Sequence, residues 1–487
     1  MTLEKYFEKF RKNTIGTDTY FDSPQGKKKI IYTDWTASGR LYRPIEETLM
    51  NDFGPYVANT HTETNITGSL MTAAYHKAKE GIKEYVNAST KDVLISEGSG
   101  MTGVMIKFQR ILGLKINDKF RSSIKIAKED IPVVFVTHME HHSNQTSWYE
   151  TIADVEIINA KNEGEIDFEH LKSLLEKYKD RKLKIASVTA ASNVTGIRTD
   201  YHKIAKIMHQ NDGLCFVDFA CSAPYVDIDM HPKDELEKLD AIMFSPHKFL
   251  GGPGTTGILI FCPNLYHNSV PDNPGGGTVE WTNPWGEHKY IDDIEAREDG
   301  GTPAFLQTIK VYLAMKLKAE MGVKNILARE EEILEPIWKA FQEIPNLHLL
   351  AENHKDRLGI FSFYIENAHF NLVVKLLSDY FGVQVRGGCS CAGTYGHYLL
   401  NVDKETSQEI TDKINIGDNS LKPGWVRLSV HPIITDAEVK EIIEAVKYVA
   451  ENFEELEKDY KYVSSSNDYK YIGDYDFETK KLEELFK

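Results

Sequence analysis

The sequence predicts an α/β protein with a large domain, built on a mainly parallel seven-stranded sheet sandwiched by helices, and a smaller C-terminal α+β domain. Short apolar segments alternate with helical segments from about residue 93 to residue 261, which is typical of a layered fold with parallel strands. After residue 303 the order of strands and helices changes, which indicates a second domain. The 487 residues, 41% of them apolar, are enough for both cores.

Each strand is predicted where a short apolar run is bounded by polar or glycine-rich turns. The strands of the first region are Val93–Ser96, Val133–Thr137, Val155–Ile158, Ile185–Thr189, Leu214–Val217, Ala241–Phe244 and Ile258–Phe261, with helices such as Asp167–Tyr178 and Tyr201–Gln210 between some of them. In the second region, strands are expected near Leu358–Ile365 and Trp425–Val430, and helices near Asn371–Phe381 and Asp436–Glu454.

The chain is expected to divide into four segments. These are an N-terminal helical segment (1–30), the large domain (31–302), the small domain (303–456) and a charged, tyrosine-rich tail (457–487) that is expected to be a surface appendage. A proline- and glycine-rich passage, Pro271–Gly301, precedes the small domain, and its aromatic residues favour a functional loop over disorder.

Composition excludes several classes of function. A net charge of −16 argues against a nucleic-acid partner bound through phosphate contacts. No apolar run approaches the roughly 20 residues of a membrane helix, and the first ten residues do not form a secretory signal. Five scattered cysteines are typical of a reducing compartment, so a cytoplasmic location is expected.

The most informative residues are Lys248 and Asp218, which close two successive apolar strands. Ligands of such sheets bind at the carboxyl ends of the strands. An amine and a carboxylate at that edge fit pyridoxal phosphate (PLP), because the amine condenses with its aldehyde and the carboxylate pairs with its ring nitrogen. By itself Lys248 is equally compatible with an ordinary loop lysine. The glycines that follow match neither a P-loop nor a dinucleotide-binding fingerprint.

Further candidates lie after other strands. Gly100 and Met101 open a helix and, with Ser245 and His247 beside the lysine, form a candidate phosphate site. His141, in a string of three histidines, is interpreted as a ring that stacks on the cofactor. A structural histidine remains the alternative, and the spacing does not match a zinc site, so no metal is expected. Asn193 is a candidate for the cofactor hydroxyl or a simple turn residue.

A glycine-flanked cysteine pair lies near the carboxyl end. Arg386 precedes Cys389 and Cys391 and is a cation that lowers the pKa of a thiol in such a loop. The two cysteines are also compatible with one half of a metal site or with a redox pair. The sequence contains no second cysteine pair that would complete a four-sulfur metal site. Arg427 is a candidate for binding a substrate carboxylate through two hydrogen bonds, or an ordinary strand-edge arginine.

Together these strings resemble the class V aminotransferase-like PLP enzymes, with the closest likeness to group II cysteine desulfurases and selenocysteine lyases. The resemblance runs from about Tyr32 to Val449 and implies PLP fold type I. Its most specific motifs are Ser245-x-His247-Lys248 and Arg386-Gly-Gly-x-x-Cys391-Ala392; supporting strings are Glu140-His141-His142-x-Asn144, Ser192-Asn193-Val194 and Gly301-Thr302-Pro303.

The resemblance implies a role for each candidate. Lys248 would form the Schiff base and transfer the proton, Asp218 would hold the ring nitrogen, and His141 would stack on the ring. Asn193 would bind the ring hydroxyl, and the phosphate would be bound by Gly100, Met101, Ser245 and His247. Arg427 and Arg386 would bind the substrate, and Cys391 would carry the persulfide. The resemblance also implies a homodimer in which Thr302 contacts the neighbouring subunit's site, L-cysteine as the substrate, and a sulfur-acceptor protein.

Two departures from the family pattern leave the reaction open. Cys221 stands where the family has a glutamine, and the segment Thr33–Ser38 is altered beside the substrate. Transamination, carbon–sulfur lysis and epimerisation are therefore alternatives, as is a relative without catalytic activity. Selenium in place of sulfur, the role of Cys389 and the function of the tail also stay open.

Overall fold

The computed structural model describes residues 1–60, 62–161 and 164–487. The chain forms two compact units. The smaller unit comprises Met1–Ala37, Asn193–Ile197 and Lys324–Lys487, and the larger unit comprises Ser38–Ser192 and Arg198–Val323. The four-segment division made from the sequence stays a prediction.

The regular elements are numbered in chain order. The α-helices are α1 (Leu3–Asn13), α2 (Arg43–Glu47), α3 (Ile66–Tyr85), α4 (Met101–Ile111), α5 (Asp118–Arg121), α6 (His142–Tyr149), α7 (Phe168–Lys177), α8 (Tyr201–His209), α9 (Ile294–Glu298), α10 (Phe305–Met321), α11 (Val323–Gln342), α12 (Phe370–Phe381), α13 (Gly393–Leu399), α14 (Lys404–Asn415), α15 (Asp436–Leu456) and α16 (Phe477–Leu485). The strands are β1 (Tyr20–Ser23), β2 (Gly26–Lys29), β3 (Ile31–Tyr32), β4 (Val93–Glu97), β5 (Val133–Thr137), β6 (Asp154–Ile158), β7 (Lys184–Thr189), β8 (Leu214–Asp218), β9 (Ala241–Phe244), β10 (Gly257–Phe261), β11 (Val279–Thr282), β12 (His288–Tyr290), β13 (Leu347–Leu349), β14 (Ile360–Ile365), β15 (Val383–Gln384), β16 (Arg386–Gly388), β17 (Trp425–Ser429), β18 (Tyr460–Val463) and β19 (Asp468–Tyr471).

The larger unit is built on a seven-stranded sheet with the order β4-β10-β9-β8-β7-β5-β6. The pairs from β9 through β6 are parallel, and β10 is antiparallel to both of its neighbours. This sheet confirms the predicted α/β class and the mainly parallel arrangement. The carboxyl ends of β5, β7, β8 and β9 therefore meet at one edge, which is where Asp218 and Lys248 lie.

Helix α4 packs on this sheet through a completely buried apolar face. Val104, Met105 and Phe108 join one cluster with Phe216 and Leu259 from the sheet. Burying side chains of this size contributes roughly 1.5–3 kcal/mol each. The packing fixes the direction of α4, so the N-terminus of the helix is held at the edge where the strands end.

The helices that follow β6 and β7 begin at aspartate caps. Asp167 accepts hydrogen bonds from the backbone of Glu169 and His170, and Asp200 accepts one from Lys203. Such caps satisfy N–H groups that have no partner within the helix. They place α7 and α8 within one residue of the predicted ends.

The smaller unit contains a four-stranded sheet with the order β13-β14-β17-β16. Its three pairs are antiparallel. The apolar faces of α12 and α15 cover the sheet, and Phe361, Phe363, Val426 and Leu428 supply buried side chains from the strands. Strand β17 therefore runs through the core of this unit and holds Arg427 rigidly.

The tail is less of a surface appendage than the sequence suggested. Strands β18 and β19 form a hairpin, and Tyr460 and Tyr469 are buried in the core of the smaller unit. The Tyr460 hydroxyl donates to Asp379 at 3.0 Å. Alternation of tyrosine with charged residues gives the hairpin one apolar face, whereas α16 has no buried residue.

Among helices of the described ranges, none is long and apolar enough to cross a membrane.

Candidate active site

Lys248 and Asp218 lie after neighbouring parallel strands of the larger unit. Asp218 ends β8 and is only 4% exposed, and Lys248 ends a single turn that follows β9. Burial raises the pKa of Asp218 to about 6, against the opposing effects of a hydrogen bond from the Ala220 N–H and of the positive charge of Lys248. The positive charge of Lys248 therefore acts on the carboxyl group of Asp218.

Four predicted phosphate ligands converge beside the lysine. Ser245 Oγ accepts the Met101 N–H at 2.8 Å, which joins the start of α4 to the turn of Lys248. A Cβ at Gly100 would lie 3.1 Å from Ser245 Oγ and 3.6 Å from the His247 ring, so a side chain there would occupy the space between them. Burial, and secondarily Lys248, lowers the pKa of His247 to about 4, so its ring is neutral and keeps one N–H donor.

This cradle has the donor set that a phosphate group requires. A helix N-terminus, a hydroxyl group and an imidazole N–H bind phosphate well, and the adjacent Lys248 and Asp218 match the aldehyde and the ring nitrogen of PLP. The residues of the larger unit therefore fit PLP, because they surround a cradle that a Cβ at Gly100 would partly fill.

His141 is the N-cap of α6, and its Nδ1 accepts the Ser143 N–H at 3.1 Å. With Nδ1 accepting, the neutral ring carries its proton on Nε2. The Ser143 hydroxyl lies 2.6 Å from that of Thr102 in the first turn of α4. These bonds tie the loop of His141 to the helix that begins at the phosphate cradle.

Glu140 holds the same loop from inside the sheet. Its buried carboxyl group accepts hydrogen bonds from the Thr137 hydroxyl at 2.6 Å, the Asn144 amide at 2.7 Å and the Thr189 N–H at 2.8 Å. Burial, with a smaller effect from the charge of Asp218, raises the pKa of Glu140 to about 8. Glu140 therefore joins the ends of β5 and β7 just before His141.

Ser38, Gly39 and Arg40 pack on the backbone around Lys248. The Gly39 N–H donates to the His247 carbonyl at 2.9 Å, and the Gly251 N–H donates to the Arg40 carbonyl at 2.7 Å. A Cβ at Gly39 would overlap the Phe249 carbonyl oxygen. Only glycine allows this approach, so Gly39 shapes the turn that presents the lysine.

The two departures from the family pattern have definite surroundings. Cys221 is buried in the larger unit, and its thiol donates to the Ser192 carbonyl at 3.7 Å. In the smaller unit, Trp35 stacks on His431 with ring centroids 4.2 Å apart and donates through Nε1 to the Tyr32 carbonyl at 3.0 Å. Burial lowers the pKa of His431 to about 3, so the pair is a neutral aromatic stack.

Arg427 and Arg386 are directly opposite each other on β17 and β16 of the smaller unit. Arg427 is 3% exposed; its Nη2 binds Asp34 at 2.7 Å, and its Nη1 donates to the Asn193 carbonyl at 3.2 Å. Its buried Nε has no hydrogen-bond partner among the described residues. Asp34 and the Asn193 carbonyl thus occupy both terminal nitrogens of Arg427, and Nε is the donor that is left for a charge-assisted hydrogen bond to a carboxylate.

The cysteine loop adopts a strained turn. Ser390 and Cys391 have φ values of 52° and 56°, which non-glycine residues rarely adopt. The Ala392 N–H donates to the Cys389 carbonyl at 3.0 Å, and the Asn193 amide donates to the Ser390 carbonyl at 2.7 Å. Asn193 thus contacts both the cysteine loop and Arg427, and the Cys391 side chain is only partly buried.

Thr302 is exposed on the larger unit. It follows a glycine pair that packs on the glycine-rich passage, since the Gly301 N–H donates to the Gly276 carbonyl at 2.9 Å. The passage is folded, with the β11–β12 hairpin inside it. Thr302 is therefore presented at the surface by a defined turn.

The predicted site residues fall into two groups. The larger unit holds Gly100, Met101, His141, Asp218, Ser245, His247, Lys248 and Thr302, and the smaller unit holds Asn193, Arg386, Cys391 and Arg427.

In residues 1–60, 62–161 and 164–487, no cluster of three histidine, cysteine or acidic side chains is arranged to hold a metal ion. His138, of the three-histidine string, is buried, and burial lowers its pKa to about 4.

Three residues that position the others were not assigned a role from the sequence. Glu140 lies in the string Glu140-His141-His142-x-Asn144. Its position shortly after a predicted strand and directly before His141 was the signal that could have marked it. Asp34 pairs with a residue 393 positions away, and Gly39 is needed only because of a backbone 210 positions away. No local pattern marks either of these long-range contacts.

Comparisons with known proteins identify the family of this chain. The family model "Aminotransferase class-V" matches residues 31–442. A probable cysteine desulfurase of Staphylococcus epidermidis is 27% identical over 369 residues, which cover 75% of this chain and 84% of that protein. One of Synechocystis sp. is 25% identical over 370 residues, covering 74% and 82% of the two chains.

Solved structures show the same fold. The apo structure of a cysteine desulfurase from Thermococcus onnurineus has a TM-score of 0.73 at 20% identity and covers 91% of this chain and 98% of its own. An Escherichia coli cysteine desulfurase has a TM-score of 0.68 at 20% identity, with 86% and 94% covered. The match over residues 31–442 confirms the resemblance drawn from the sequence. The chain belongs to the class-V aminotransferase family of PLP-dependent enzymes.

Proposed function

We propose that this enzyme is a cysteine desulfurase that moves sulfur from L-cysteine to Cys391 and releases L-alanine. The observation that carries the proposal is the loop of Cys391. It is a strained turn, its thiol is only partly buried, and Asn193 joins it to Arg427. Relatives named as probable cysteine desulfurases support the same reaction.

The cofactor of the proposed reaction is PLP. When bound, PLP supplies an aldehyde that joins to an amine and a protonated ring that accepts electrons. Lys248 Nζ is the amine that would hold it as a Schiff base, and Asp218 would hold the proton of the ring nitrogen. Gly100, Met101, Ser245 and His247 would bind the phosphate, with His141 against the ring and Asn193 at its hydroxyl.

Lys248 is also the proposed base. When it does not hold the cofactor, Nζ would be a free amine that takes the proton from the α-carbon of L-cysteine. Lysine suits this work because its pKa responds strongly to its surroundings. Asp218 would keep the ring nitrogen of PLP protonated, because a buried carboxylate pairs strongly with a cation.

Sulfur transfer uses the thiolate of Cys391. Cys391 Sγ attacks the sulfur of L-cysteine and forms a sulfur–sulfur bond, while the carbon–sulfur bond of the substrate breaks. The electron pair of that bond stays with the β-carbon, which then takes up a proton. The products are alanine and a persulfide on Cys391, so atoms and electrons balance without an external oxidant.

Arg427 would bind the carboxylate of the amino acid. Its guanidinium group already forms an ion pair with Asp34, 20% of whose side chain is exposed, and it keeps one buried N–H, on Nε, without a hydrogen-bond partner among the described residues. A substrate carboxylate satisfies that donor and balances the charge of the opposite Arg386. This arrangement favours α-amino acids over amines that lack a carboxylate.

The test is product analysis with L-cysteine and a thiol reductant. We expect alanine and sulfide in equal amounts from the wild-type enzyme and a loss of roughly 100-fold or more for Cys391→Ala, since removal of a covalent nucleophile abolishes its step. Cys389→Ala is the matched control from the same loop and should keep most of the activity. A Cys391→Ala enzyme with full activity would refute the role of the thiol.

A second candidate is another reaction of the same family, namely transamination, carbon–sulfur lysis or epimerisation. The observations that favour it are Cys221, which donates to a backbone carbonyl, and the Trp35–His431 stack in the altered segment. A fold of this kind does not choose among such reactions. A panel of amino acids distinguishes them, because transamination yields a keto acid and leaves no persulfide on Cys391.

We also propose a cytoplasmic homodimer that passes its persulfide sulfur to an acceptor protein. The exposed turn of Thr302 supports the dimer, because such a turn can reach the site of a second copy. The five cysteines are free thiols, which suits a reducing compartment. A single-chain molar mass by light scattering would contradict the dimer.

A further inference from the structure

Lys107 is a fully buried cation on α4, outside the residues assigned above. Its ammonium group lies 2.8 Å from Glu97 Oε2 and 3.2 Å from Glu298 Oε2, and its side chain has no exposed surface. A buried charge is costly unless it is paired and hydrogen-bonded. Such a residue therefore ties together the segments that supply its partners.

One of those segments leads directly into the proposed phosphate cradle. Glu97 ends β4 and is followed at once by the turn Gly98–Gly100, which leads into α4. Glu298 ends α9, four residues before Thr302, and Lys107 also donates to its carbonyl oxygen at 3.3 Å. One ammonium group thus joins the turn that opens the cradle to the segment that presents Thr302.

Further bonds make this junction rigid. The Tyr266 hydroxyl donates to Glu298 Oε1 at 2.7 Å. Arg110, one turn after Lys107, binds both carboxylate oxygens of Asp272 at 2.7 Å, and the Asp272 N–H donates to Glu298 Oε1 at 3.2 Å. Charge-assisted, bidentate bonds of this kind define geometry closely.

The lysine keeps its charge in this site. Burial alone would lower its pKa, but the hydrogen bonds and charges of Glu97 and Glu298 reverse the effect, and the pKa of Lys107 is raised. At neutral pH the cluster therefore holds an ammonium ion between carboxylates, which is the charged state that the geometry requires.

We infer that Lys107 is a positioning residue for the cofactor phosphate, which acts by fixing Glu97, and with it the turn Gly98–Met101, against the segment that carries Thr302. The inference rests on the proposed binding of PLP. It adds a residue that touches neither cofactor nor substrate and controls the shape of the cradle through two carboxylates.

The test compares PLP with pyridoxal, which lacks the phosphate, by absorbance titration of the cofactor-free full-length chain. For Lys107→Met we expect the Kd for PLP to rise roughly 10- to 100-fold, the equivalent of one or two charge-assisted hydrogen bonds, and the Kd for pyridoxal to stay unchanged. A residue that only stabilises the fold would weaken both ligands equally.

Lys184→Met is the control, because Lys184 is also buried but lies at the start of β7, away from the edge where the strands end, and donates to the Arg181 carbonyl at 3.2 Å. It should bind both ligands as the wild type does. If Lys107→Met does not fold, Glu97→Gln at a partly exposed position should show the same selective loss to a smaller degree.

Two results would overturn the inference: wild-type affinity for PLP in both Lys107→Met and Glu97→Gln, or an equal loss of PLP and pyridoxal. A wild-type chain that binds no PLP would instead remove the proposed function, and the inference with it. Measuring the wild type first separates these two failures.

Discussion

The carboxyl group of Asp218 is buried at the end of β8, where burial favours its neutral form and raises its pKa to about 6. A paired cation such as a protonated ring nitrogen favours the ionised form instead. The folded chain therefore holds Asp218 in an environment that suits a bound cation better than it suits the carboxylate alone. A carboxyl group whose pKa is shifted by its surroundings in this way is typical of functional sites.

Replacing Asp218 by asparagine should stabilise the cofactor-free protein at pH 8. The pKa is higher in the folded chain, so the wild type loses stability as the pH rises from about 4 through about 6, and the variant does not. A rise from 3.8 to about 6 corresponds to at most about 3 kcal/mol. Urea unfolding at pH 8 and at pH 4 measures the difference, which should disappear at pH 4.

The same variant should bind PLP more weakly, because asparagine cannot pair with a ring cation. A variant that is less stable than the wild type at pH 8, or that binds PLP equally well, would contradict the role assigned to Asp218. The two measurements together separate a functional carboxylate from a structural one.

At the scale of elements, the turn of Lys248 is held by backbone contacts that exclude a side chain. Gly39 packs on the Phe249 carbonyl, and a Cβ at Gly257 would come 2.6 Å from the carbonyl carbon of Gly100. These contacts join the segments around the lysine and the cradle without any side-chain chemistry. The geometry of the site thus depends on close approach of the main chain.

Gly39→Ala should displace the turn of Lys248. The added Cβ overlaps a backbone oxygen that cannot move without the turn, and we expect a loss of roughly 2–4 kcal/mol in the free energy of unfolding, as for other overpacked backbone sites, together with weaker PLP binding. Gly276→Ala is the control, because a Cβ there meets no atom within 4 Å. Equal stability of the two variants would be the contrary outcome.

The strands and the residues at their ends could be predicted because periodicity and strand-end position are local properties. Ile258–Phe261 matches β10 to within one residue, and Asp218 and Lys248 lie where the parallel sheet places them. The ion pair of Asp34 with Arg427 and the fit of Gly39 depend on chain segments far apart in sequence. Such contacts are properties of the folded chain and leave no local pattern.

The tail shows the same limit. Its charge predicted a surface segment, but the buried tyrosines of the β18–β19 hairpin complete the core of the smaller unit. A charged strand with aromatic residues on one face buries that face when a partner surface exists. The hairpin packs on α12, and no local sequence pattern identifies α12 as the surface that the hairpin covers.

At the scale of the whole molecule, the smaller unit is assembled from both ends of the chain and a short internal segment. Arg11 of α1 binds Glu438 at 2.6 Å, and Tyr460 binds Asp379 at 3.0 Å. Both termini therefore contribute to the unit that holds Arg427 and Cys391. Its stability depends on segments that carry no catalytic residue.

Truncation after Leu456 should destabilise the protein by roughly 3–5 kcal/mol, since it removes two buried tyrosines and one buried hydrogen bond. Truncation after Tyr475 removes only α16 and should change little, because α16 buries no residue. Thermal unfolding of both truncated chains beside the full chain makes the comparison. Similar melting temperatures for all three would show that the hairpin is an appendage after all.

The most direct measurement of the central claim is mass spectrometry of the protein after loading with PLP, reduction with borohydride and proteolysis. Reduction makes a Schiff base permanent, so the modified lysine keeps the mass of the cofactor. The account expects that mass on the peptide containing Lys248 in the wild type, and its loss in Lys248→Ala. A stable adduct on a different lysine, or none on the wild-type protein, would contradict the account.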